Sequence, residues 1–188
     1  MTSDHIADLP LVDLPAAFVA FHEQHYPGYC EYAKLHLGNE TEAMDLVDDL
    51  FTHLAENWAS LMATAAPAAE VWALLKIIVI AQLDARGSRS AMPETAAFRK
   101  VAREVLDRTR GEFELMESSI GLYTAIAALP DRHFDVVVLR YVLGYPTPRA
   151  ATIMGIEETT VRTYVHQARR KLARDIGLDD RHHLTDPA

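Results

Sequence analysis

The fold is decided between Tyr145 and Leu172, where the chain reads YPTPRAATIMGIEETTVRTYVHQARRKL. Thr147 and Pro148 predict the start of a helix. A threonine hydroxyl can cap free backbone N–H groups, and proline at the first helical position has no N–H to lose. Gly155 supplies the left-handed backbone that a sharp turn between two helices needs. The stretch therefore predicts two helices joined by a tight turn.

The second predicted helix has one apolar and one polar face. Its apolar residues recur at spacings of four, three and four, and they are Val161, Val165, Ala168 and Leu172. The opposite face carries hydroxyl, amide and cationic groups suited to base edges and phosphates, namely Thr159, Thr160, Arg162, Thr163, Gln167, Arg169, Arg170 and Lys171. The segment therefore predicts a helix-turn-helix. An ordinary helical hairpin with a solvated basic face is the alternative.

The residues before this unit extend the pattern without a gap. They include Leu129-Pro130, Leu139-Arg140-Tyr141 and Gly144, and the unit ends in an Ala-Arg-Arg-Lys-Leu tail. From Leu122 onward the chain resembles region 4 of bacterial sigma factors of the extracytoplasmic-function group. The resemblance implies that the second helix enters the major groove of the minus-thirty-five promoter element. Base contacts are then expected from Thr159, Thr160, Arg162 and Thr163, and phosphate contacts from Arg149, Arg169, Arg170 and Lys171.

Charge is distributed unevenly along the 188 residues. The net charge is −9, but residues 1–70 hold 12 acidic side chains against the single Lys34. Between Arg140 and Arg174 there are seven basic residues against two glutamates. Phosphate contacts are therefore expected in the C-terminal part, and the acidic front half is expected to face a basic protein surface or solvent.

Composition limits the classes of protein that the chain can represent. Hydrophobic residues make up 49% of the chain, which is typical of a folded globular protein. The single Cys30 excludes an intrachain disulfide and a cysteine-based zinc cluster, and it fits a reducing cytoplasm. The N-terminus lacks the pattern of a signal peptide, and the apolar run from Val71 to Leu83 is too short to span a bilayer. We expect a soluble, cytoplasmic protein with no membrane contact.

The front half reads as a series of helices. The first is expected to be interrupted at Pro27-Gly28, and Thr41 is expected to cap the next. The acidic outer face of that next helix carries Asp45, Asp48 and Asp49. Residues 21–54 resemble sigma regions 2.1 to 2.2, which implies docking of this helix on the beta-prime clamp of RNA polymerase. A solvated acidic face is the alternative reading.

The stretch from Val71 to Ser90 corresponds by position to regions 2.3 to 2.4, which contact and melt the minus-ten element in the family. Candidate contacts there are Lys76, Arg86 and Arg89. Family members carry arginine and asparagine where this chain has Val79 and Ile80, so polar groups that would hold a flipped base are missing. The helix is expected to be buried nearly all round.

The predicted fold class is all-α, with two helical domains joined by a linker. The expected divisions are a flexible tail over 1–13, a region 2-like domain over 14–86, a linker with a helical section over 87–116, a region 4-like domain over 117–176 and a flexible tail over 177–188. No phosphate-binding glycine loop, nucleophile elbow or complete metal-ligand set is recognisable, so neither an enzyme nor a bound metal or cofactor is expected.

The resemblance implies a sigma factor that binds core RNA polymerase, through the beta-prime clamp and the beta flap, and promoter DNA. An anti-sigma factor is the regulator that the family leads us to expect. Two alternatives stay open at this point. One is a DNA-binding regulator that works without polymerase, and the other is a sigma-like interaction protein that cannot open DNA.

Overall fold

The computed structural model describes residues 14–100 and 119–175, and the elements in these ranges are helical. The N-terminal half contains α1 (Ala16–Leu37), α2 (Glu40–Glu56), α3 (Trp58–Met62), α4 (Pro67–Ala85) and a 3-10 turn (Met92–Glu94). The C-terminal half contains α5 (Ser119–Ala127), α6 (Asp131–Val137), a π-helical turn (Val138–Val142), α7 (Thr147–Met154) and α8 (Glu158–Asp175). The predicted all-α fold is confirmed. The two predicted tails lie outside the described residues, and so do residues 101–116 of the predicted linker.

Helix α1 runs without a break through Pro27, so the predicted interruption at Pro27-Gly28 is wrong. Proline has no N–H, and the helix therefore lacks one backbone hydrogen bond there. Packing holds the helix together, because Gly28, Tyr29 and Tyr32 directly after the proline are all buried. An added Cβ on Gly28 would lie 2.8 Å from the Cδ1 atom of Ile153, so a larger residue here would require the end of the Ile153 side chain to move.

The turn between α1 and α2 uses Gly38 and Asn39. Gly38 has a φ of 72°, and its N–H donates to the carbonyl of Lys34 at 2.9 Å. The side chain of Asn39 accepts a hydrogen bond from the backbone N–H of Glu42 at 3.1 Å, which makes Asn39 the N-cap of α2. The predicted cap at Thr41 is wrong, because the helix begins one residue before it.

Aromatic side chains form the centre of the N-terminal half. The ring of Phe51 on α2 lies 6.3 Å from the rings of Phe18 and Phe21 and 6.0 Å from that of Tyr29. Trp72 of α4 is fully buried and contacts the ring of Tyr32 edge-on at 4.7 Å. Edge-to-face pairs of this kind add about 0.5 to 1.5 kcal/mol each to the burial of apolar area.

Helix α4 is buried on one side only, so the expectation that it is buried nearly all round is wrong. Its inner side consists of Val71, Trp72, Leu75, Val79 and Leu83. Ile77 and Ile80 point outward, with 62% and 57% of their surface exposed. The sequence could not show this, because apolar residues occupy both faces of the helix.

The C-terminal half packs α6, α7 and α8 around a second set of apolar side chains. Ile153, Val161 and Ala168 are fully buried there. Helix α7 begins after Pro146 with no side-chain cap, so the predicted capping role of the Thr147 hydroxyl is wrong. Its predicted end is confirmed, because Gly155 adopts the left-handed conformation with a φ of 62°.

The two halves pack directly on each other through α4, α1 and α7. Asp135 of α6 lies at this contact and is fully buried. Its Oδ2 atom accepts hydrogen bonds from the indole N–H of Trp72 and from the ammonium of Lys76, both at 2.9 Å. Burial raises the pKa of Asp135, and the adjacent ammonium and indole N–H oppose that shift. The apolar residues of both halves therefore belong to one continuous core.

Part of the predicted linker also belongs to this core. Met92 and Phe98 are fully buried. The backbone N–H of Ala91 donates to the carbonyl of His36 at 2.7 Å, and the Oγ atom of Ser90 lies 2.8 Å from Nδ1 of the same histidine. Residues 90–98 are therefore fixed against the C-terminal end of α1.

Because two histidines are buried, we expect the free energy of unfolding to fall in mild acid. Burial lowers the pKa of His25 and of His36 to about 4, and for His25 the nearby Arg149 adds to the shift. The unfolded chain, in which a histidine pKa is near 6.5, then binds more protons than the folded chain below that pH. The free energy of unfolding should fall by about 1 kcal/mol per histidine between pH 6.5 and pH 5.5.

The variant His25→Phe tests this with little change of shape, because His25 stacks on Phe21 with ring centroids 4.1 Å apart and its Nδ1 has no hydrogen-bond partner. Urea unfolding at the two pH values should show a loss about 1 kcal/mol smaller for the variant than for the wild type. Equal losses would contradict the assignment of a neutral, buried His25.

Candidate nucleic-acid interface

Helices α7 and α8 form a helix-turn-helix. Helix α7 ends at Gly155, and the N–H of Ile156 donates back to the carbonyl of Ala151 at 3.1 Å, which closes the turn. Helix α8 then begins at Glu158 and packs on α7 and α6 through Val161 and Ala168. Val165 and Leu172 of the predicted stripe are partly buried against the same core. The predicted inward face of α8 is therefore the observed one.

The opposite face of α8 is open to solvent along its length. The predicted contact residues on it are mostly exposed, and these are Thr159, Arg162, Thr163, Gln167, Arg169 and Arg170. Thr160 and Lys171 are partly buried. The helix therefore presents hydroxyl, amide and guanidinium groups together on one side, as an element that lies in a groove of DNA must.

Several of these side chains are held by bonds within the domain. The guanidinium of Arg162 pairs with Glu158 one turn earlier at 2.7 Å, and the hydroxyl of Thr163 donates to the carbonyl of Thr159 at 2.9 Å. The Oε1 atom of Gln167 lies 2.9 Å from the Nε2 atom of His133 on α6. The Arg162 pair is exposed and worth at most about 1 kcal/mol, so it can exchange for a contact to a base.

A basic cleft of about 400 Å³ lies between α8 and the start of α7. Its lining combines three arginines, a histidine and two smaller side chains: Arg140, Thr147, Arg162, Val165, His166 and Arg169. Arg140 also donates to the carbonyl of Tyr145, which fixes the loop before α7. The sequence did not indicate Arg140, Thr147 or His166 as candidate contacts. Arg140 and Thr147 precede α8 in the chain, and His166 was not among the residues assigned to the polar face of α8.

Arg149 is placed differently from the other predicted phosphate contacts. It lies on α7, and its Nη1 atom donates to the carbonyl of Gln24 on α1 at 2.6 Å. The guanidinium also lies over the ring of Tyr145, 5.9 Å from its centroid, and the Tyr145 hydroxyl donates to Glu31. In this structure Arg149 is therefore engaged by the N-terminal half.

The three aspartates of α2 that were predicted to bind polymerase do not share one surface site. Asp45 and Asp49 are exposed and line a groove of about 580 Å³ between α2 and α4, with Leu46, Leu74 and Ile78 among its apolar walls. Asp48 lies outside this groove and accepts a hydrogen bond from the Tyr26 hydroxyl at 2.8 Å. The groove therefore combines an apolar floor with an acidic rim formed by two of the three residues.

The three cationic side chains that were predicted to contact the minus-ten element are also far from forming one surface. Lys76 is paired with the buried Asp135, and only 15% of its side chain is exposed. Arg86 pairs with Glu42 of α2 at 2.5 Å, while Arg89 is exposed beyond the end of α4. The structure does not bring these three cations together on one surface.

Comparison with known proteins agrees with the geometry of the C-terminal half. Residues 120–172 match the family model of sigma-70, region 4. The search of curated proteins gave no match. Among solved structures, a similar chain is the sigma factor RpoE in complex with the anti-sigma factor NepR from Bartonella quintana. The match covers 89% of this chain and 98% of that chain, with 19% identity and a TM-score of 0.38.

The C-terminal half is therefore a helix-turn-helix domain of the DNA-binding class. More particularly, residues 120–172 are similar to sigma-70, region 4, and this match agrees with the resemblance seen in the sequence of the same segment. Within residues 14–100 and 119–175, no helix has both the length and the apolar character of a membrane span. The same two ranges contain no cluster of three or more histidine, cysteine or carboxylate side chains that could bind a metal ion.

The exposure of Arg162 predicts a loss of sequence preference in Arg162→Ala. A bidentate contact to a base is worth about 1 to 3 kcal/mol of discrimination, whereas a phosphate contact contributes equally on all sequences. The duplex used should be one that the wild-type chain selects from a random library. Fluorescence anisotropy should then show a larger loss of affinity on that duplex than on a scrambled one.

The matched control is Arg170→Ala, which removes the same charge from the exposed face of the same helix. It should weaken binding to both duplexes by similar factors. If Arg162→Ala also lost affinity equally on both duplexes, Arg162 would make no contact that distinguishes one base from another.

Proposed function

We propose that the chain is a sigma factor of the extracytoplasmic-function group, which binds core RNA polymerase and directs it to promoters. The observation that carries the proposal is the exposed basic face of α8 within a region 4 domain. In this proposal α8 reads the minus-thirty-five element from the major groove, with Thr159, Arg162 and Thr163 nearest to the base edges. Cations around them, including those of the basic cleft, neutralise phosphates.

The groove between α2 and α4 is the proposed docking site for polymerase. It offers a partner helix an apolar floor with Asp45 and Asp49 at the rim. A basic, amphipathic helix fits such a groove best, because its apolar side chains are buried while its cations meet the carboxylates. The coiled coil of the beta-prime clamp is the partner that the family resemblance implies. Asp48, which is bonded to Tyr26, supports the helix instead of contacting the partner.

The outer face of α4 offers few polar groups to the minus-ten element. Lys76 and Arg86 form ion pairs with Asp135 and Glu42, whereas Arg89 is exposed. Ile77 and Ile80 occupy the outer face of α4. These apolar side chains could stack on an unpaired base but could not hydrogen-bond its edge. The alternative of a sigma-like protein that binds polymerase without opening DNA is favoured by this observation.

Run-off transcription separates these possibilities. Core polymerase from the host should be supplied with fragmented host DNA, with and without the full chain. Discrete transcripts that require the chain are expected. If a control sigma factor works in the same reaction and this chain does not, an initiating role is contradicted. Tight, sequence-specific binding of the chain to DNA without polymerase would then favour a polymerase-independent regulator.

The acidic rim predicts that Asp49→Lys weakens the binding of core polymerase. Reversing a charge at the edge of an interface replaces attraction by repulsion, and it should lower the association rate and the affinity about tenfold or more at low salt. The matched control is Glu56→Lys, which makes the same charge change at an exposed position of α2 outside the groove.

Surface plasmon resonance with immobilised core polymerase can measure both variants at two salt concentrations. Affinity for duplex DNA alone should be the same in the two, since they carry the same net charge. If core polymerase bound Asp49→Lys, Glu56→Lys and the wild type with equal affinity, docking in this groove would be contradicted.

A further inference from the structure

Gln167 is an exposed side chain of α8 that is held by a residue outside the helix-turn-helix. Its Oε1 atom lies 2.9 Å from the Nε2 atom of His133, which belongs to α6. His133 is half-buried, and its ring lies against that of Tyr164 with centroids 5.3 Å apart. Helix α6 therefore fixes an amide on the face of α8 that is open to solvent.

The buried side of the His133 ring shows which way this amide points. A neutral imidazole has one N–H donor and one acceptor nitrogen, and an amide has an acceptor oxygen and a donor NH2 group. The Nδ1 atom of His133 is buried and has no hydrogen-bond partner within residues 14–100 and 119–175. If the NH2 group of Gln167 faced Nε2, the ring hydrogen would lie on Nδ1 as a buried donor without an acceptor, which is rare and costly in folded proteins. Nε2 therefore carries the hydrogen and donates it to Oε1 of Gln167.

This bond determines which groups Gln167 offers to DNA. Its oxygen is engaged by His133, so the two N–H groups of the amide are left to bind another molecule. A glutamine that reads adenine uses both ends of the amide, accepting from N6 and donating to N7. The major-groove edge of guanine carries two acceptors instead, O6 and N7. An amide that only donates therefore fits guanine, whereas on adenine it meets a second donor, the N6 amino group.

Gln167 also stands in line with two of the residues proposed to lie nearest to the bases. Thr159, Thr163 and Gln167 are spaced by four residues, so they follow one another along the same face of α8. Each step of four residues advances about 6 Å along a helix, which is roughly two base-pair steps of DNA. A helix that enters the major groove with Thr163 at a base edge therefore brings Gln167 to a nearby base pair.

We infer that His133 is a positioning residue for sequence recognition, which holds the N–H groups of Gln167 outward so that α8 prefers guanine to adenine at one base of its site. The inference rests on the proposed function, because it takes α8 as the helix that reads DNA. His133 acts through Gln167, and the sequence did not indicate it as a residue involved in DNA binding.

Three substitutions of His133 change the hydrogen-bonding group that faces Gln167 in different ways. His133→Lys supplies donors only, so it keeps the oxygen of the amide engaged. His133→Phe keeps a ring beside Tyr164 but supplies neither a donor nor an acceptor. His133→Glu supplies acceptors only, so it draws the NH2 group inward and turns the oxygen outward. A fourth variant, Gln167→Ala, identifies the base that the amide reads.

The first readout is the selection of duplexes from a random library by each full-length variant, with and without core polymerase. The quantity compared is the ratio of guanine to adenine at the base where Gln167→Ala loses discrimination. A change of net charge alters binding to all duplexes alike, so it leaves this ratio unchanged. The wild type and His133→Lys should favour guanine about tenfold, as expected for a bidentate contact. His133→Phe should bring the ratio close to one, and His133→Glu should reverse it.

Two results of the selection would overturn the inference. One is a wild-type ratio in His133→Phe, and the other is a Gln167→Ala variant that loses discrimination at no base. An equal loss of preference in all three His133 variants would also overturn it, because it would show a merely structural role. A thermal melt identifies a variant that fails to fold, and the other two then carry the test.

The second readout needs no DNA. Nitrogen NMR spectra of the full chain at alkaline pH show which ring nitrogen of a neutral histidine carries the hydrogen. His133 should carry it on Nε2, and a hydrogen on Nδ1 would overturn the inference.

Failure of the inference and failure of the proposed function can be told apart. If the selection gives the expected ratios but the chain supports no transcripts in the run-off reaction, the sigma-factor role is contradicted and the inference stands. If the chain supports transcripts but His133→Phe leaves the ratio unchanged, only the inference is overturned. Absence of DNA binding by every variant, with and without core polymerase, would contradict both.

Discussion

The buried carboxylate of Asp135 is the interaction on which the arrangement of the two halves depends. An ion removed from water is tolerated only when an opposite charge and hydrogen bonds replace its hydration, and here Lys76 and Trp72 of the other half supply both. Both hydrogen bonds that the carboxylate accepts come from the N-terminal half, while Arg132 of its own half adds a favourable charge. The need to compensate this charge therefore adds to apolar packing in fixing the helix-turn-helix against α4.

This arrangement gives the uneven charge of the chain a physical meaning. The net charge of −9 comes from the front half, while the segment from Arg140 to Arg174 is basic. In this structure the acidic half lies beside the basic domain, and its charges lower the positive potential that would attract DNA. This distribution of charge therefore weakens the binding of the domain to random DNA.

The sequence was most informative where structure is determined locally. The glycine at position 155 and the apolar spacing of α8 predicted the helix-turn-helix, because turn geometry and helical periodicity act over a few residues. It was misleading at Pro27, where packing kept a helix intact, and at α4, where apolar residues cover an exposed face. The role of Asp135 could not be predicted, because its partners lie 59 and 63 residues away in the chain.

A double-mutant cycle on Asp135 and Lys76 tests the central claim most directly. Urea unfolding would be measured for the wild type, Asp135→Asn, Lys76→Met and the double variant. Because removing one partner of a buried pair leaves the other uncompensated, each single change should cost about 3 to 5 kcal/mol. The double variant should be more stable than the sum of the single losses predicts, by about 1 to 3 kcal/mol. Losses that add to within about 0.5 kcal/mol would show that the two residues act independently, and would contradict the account.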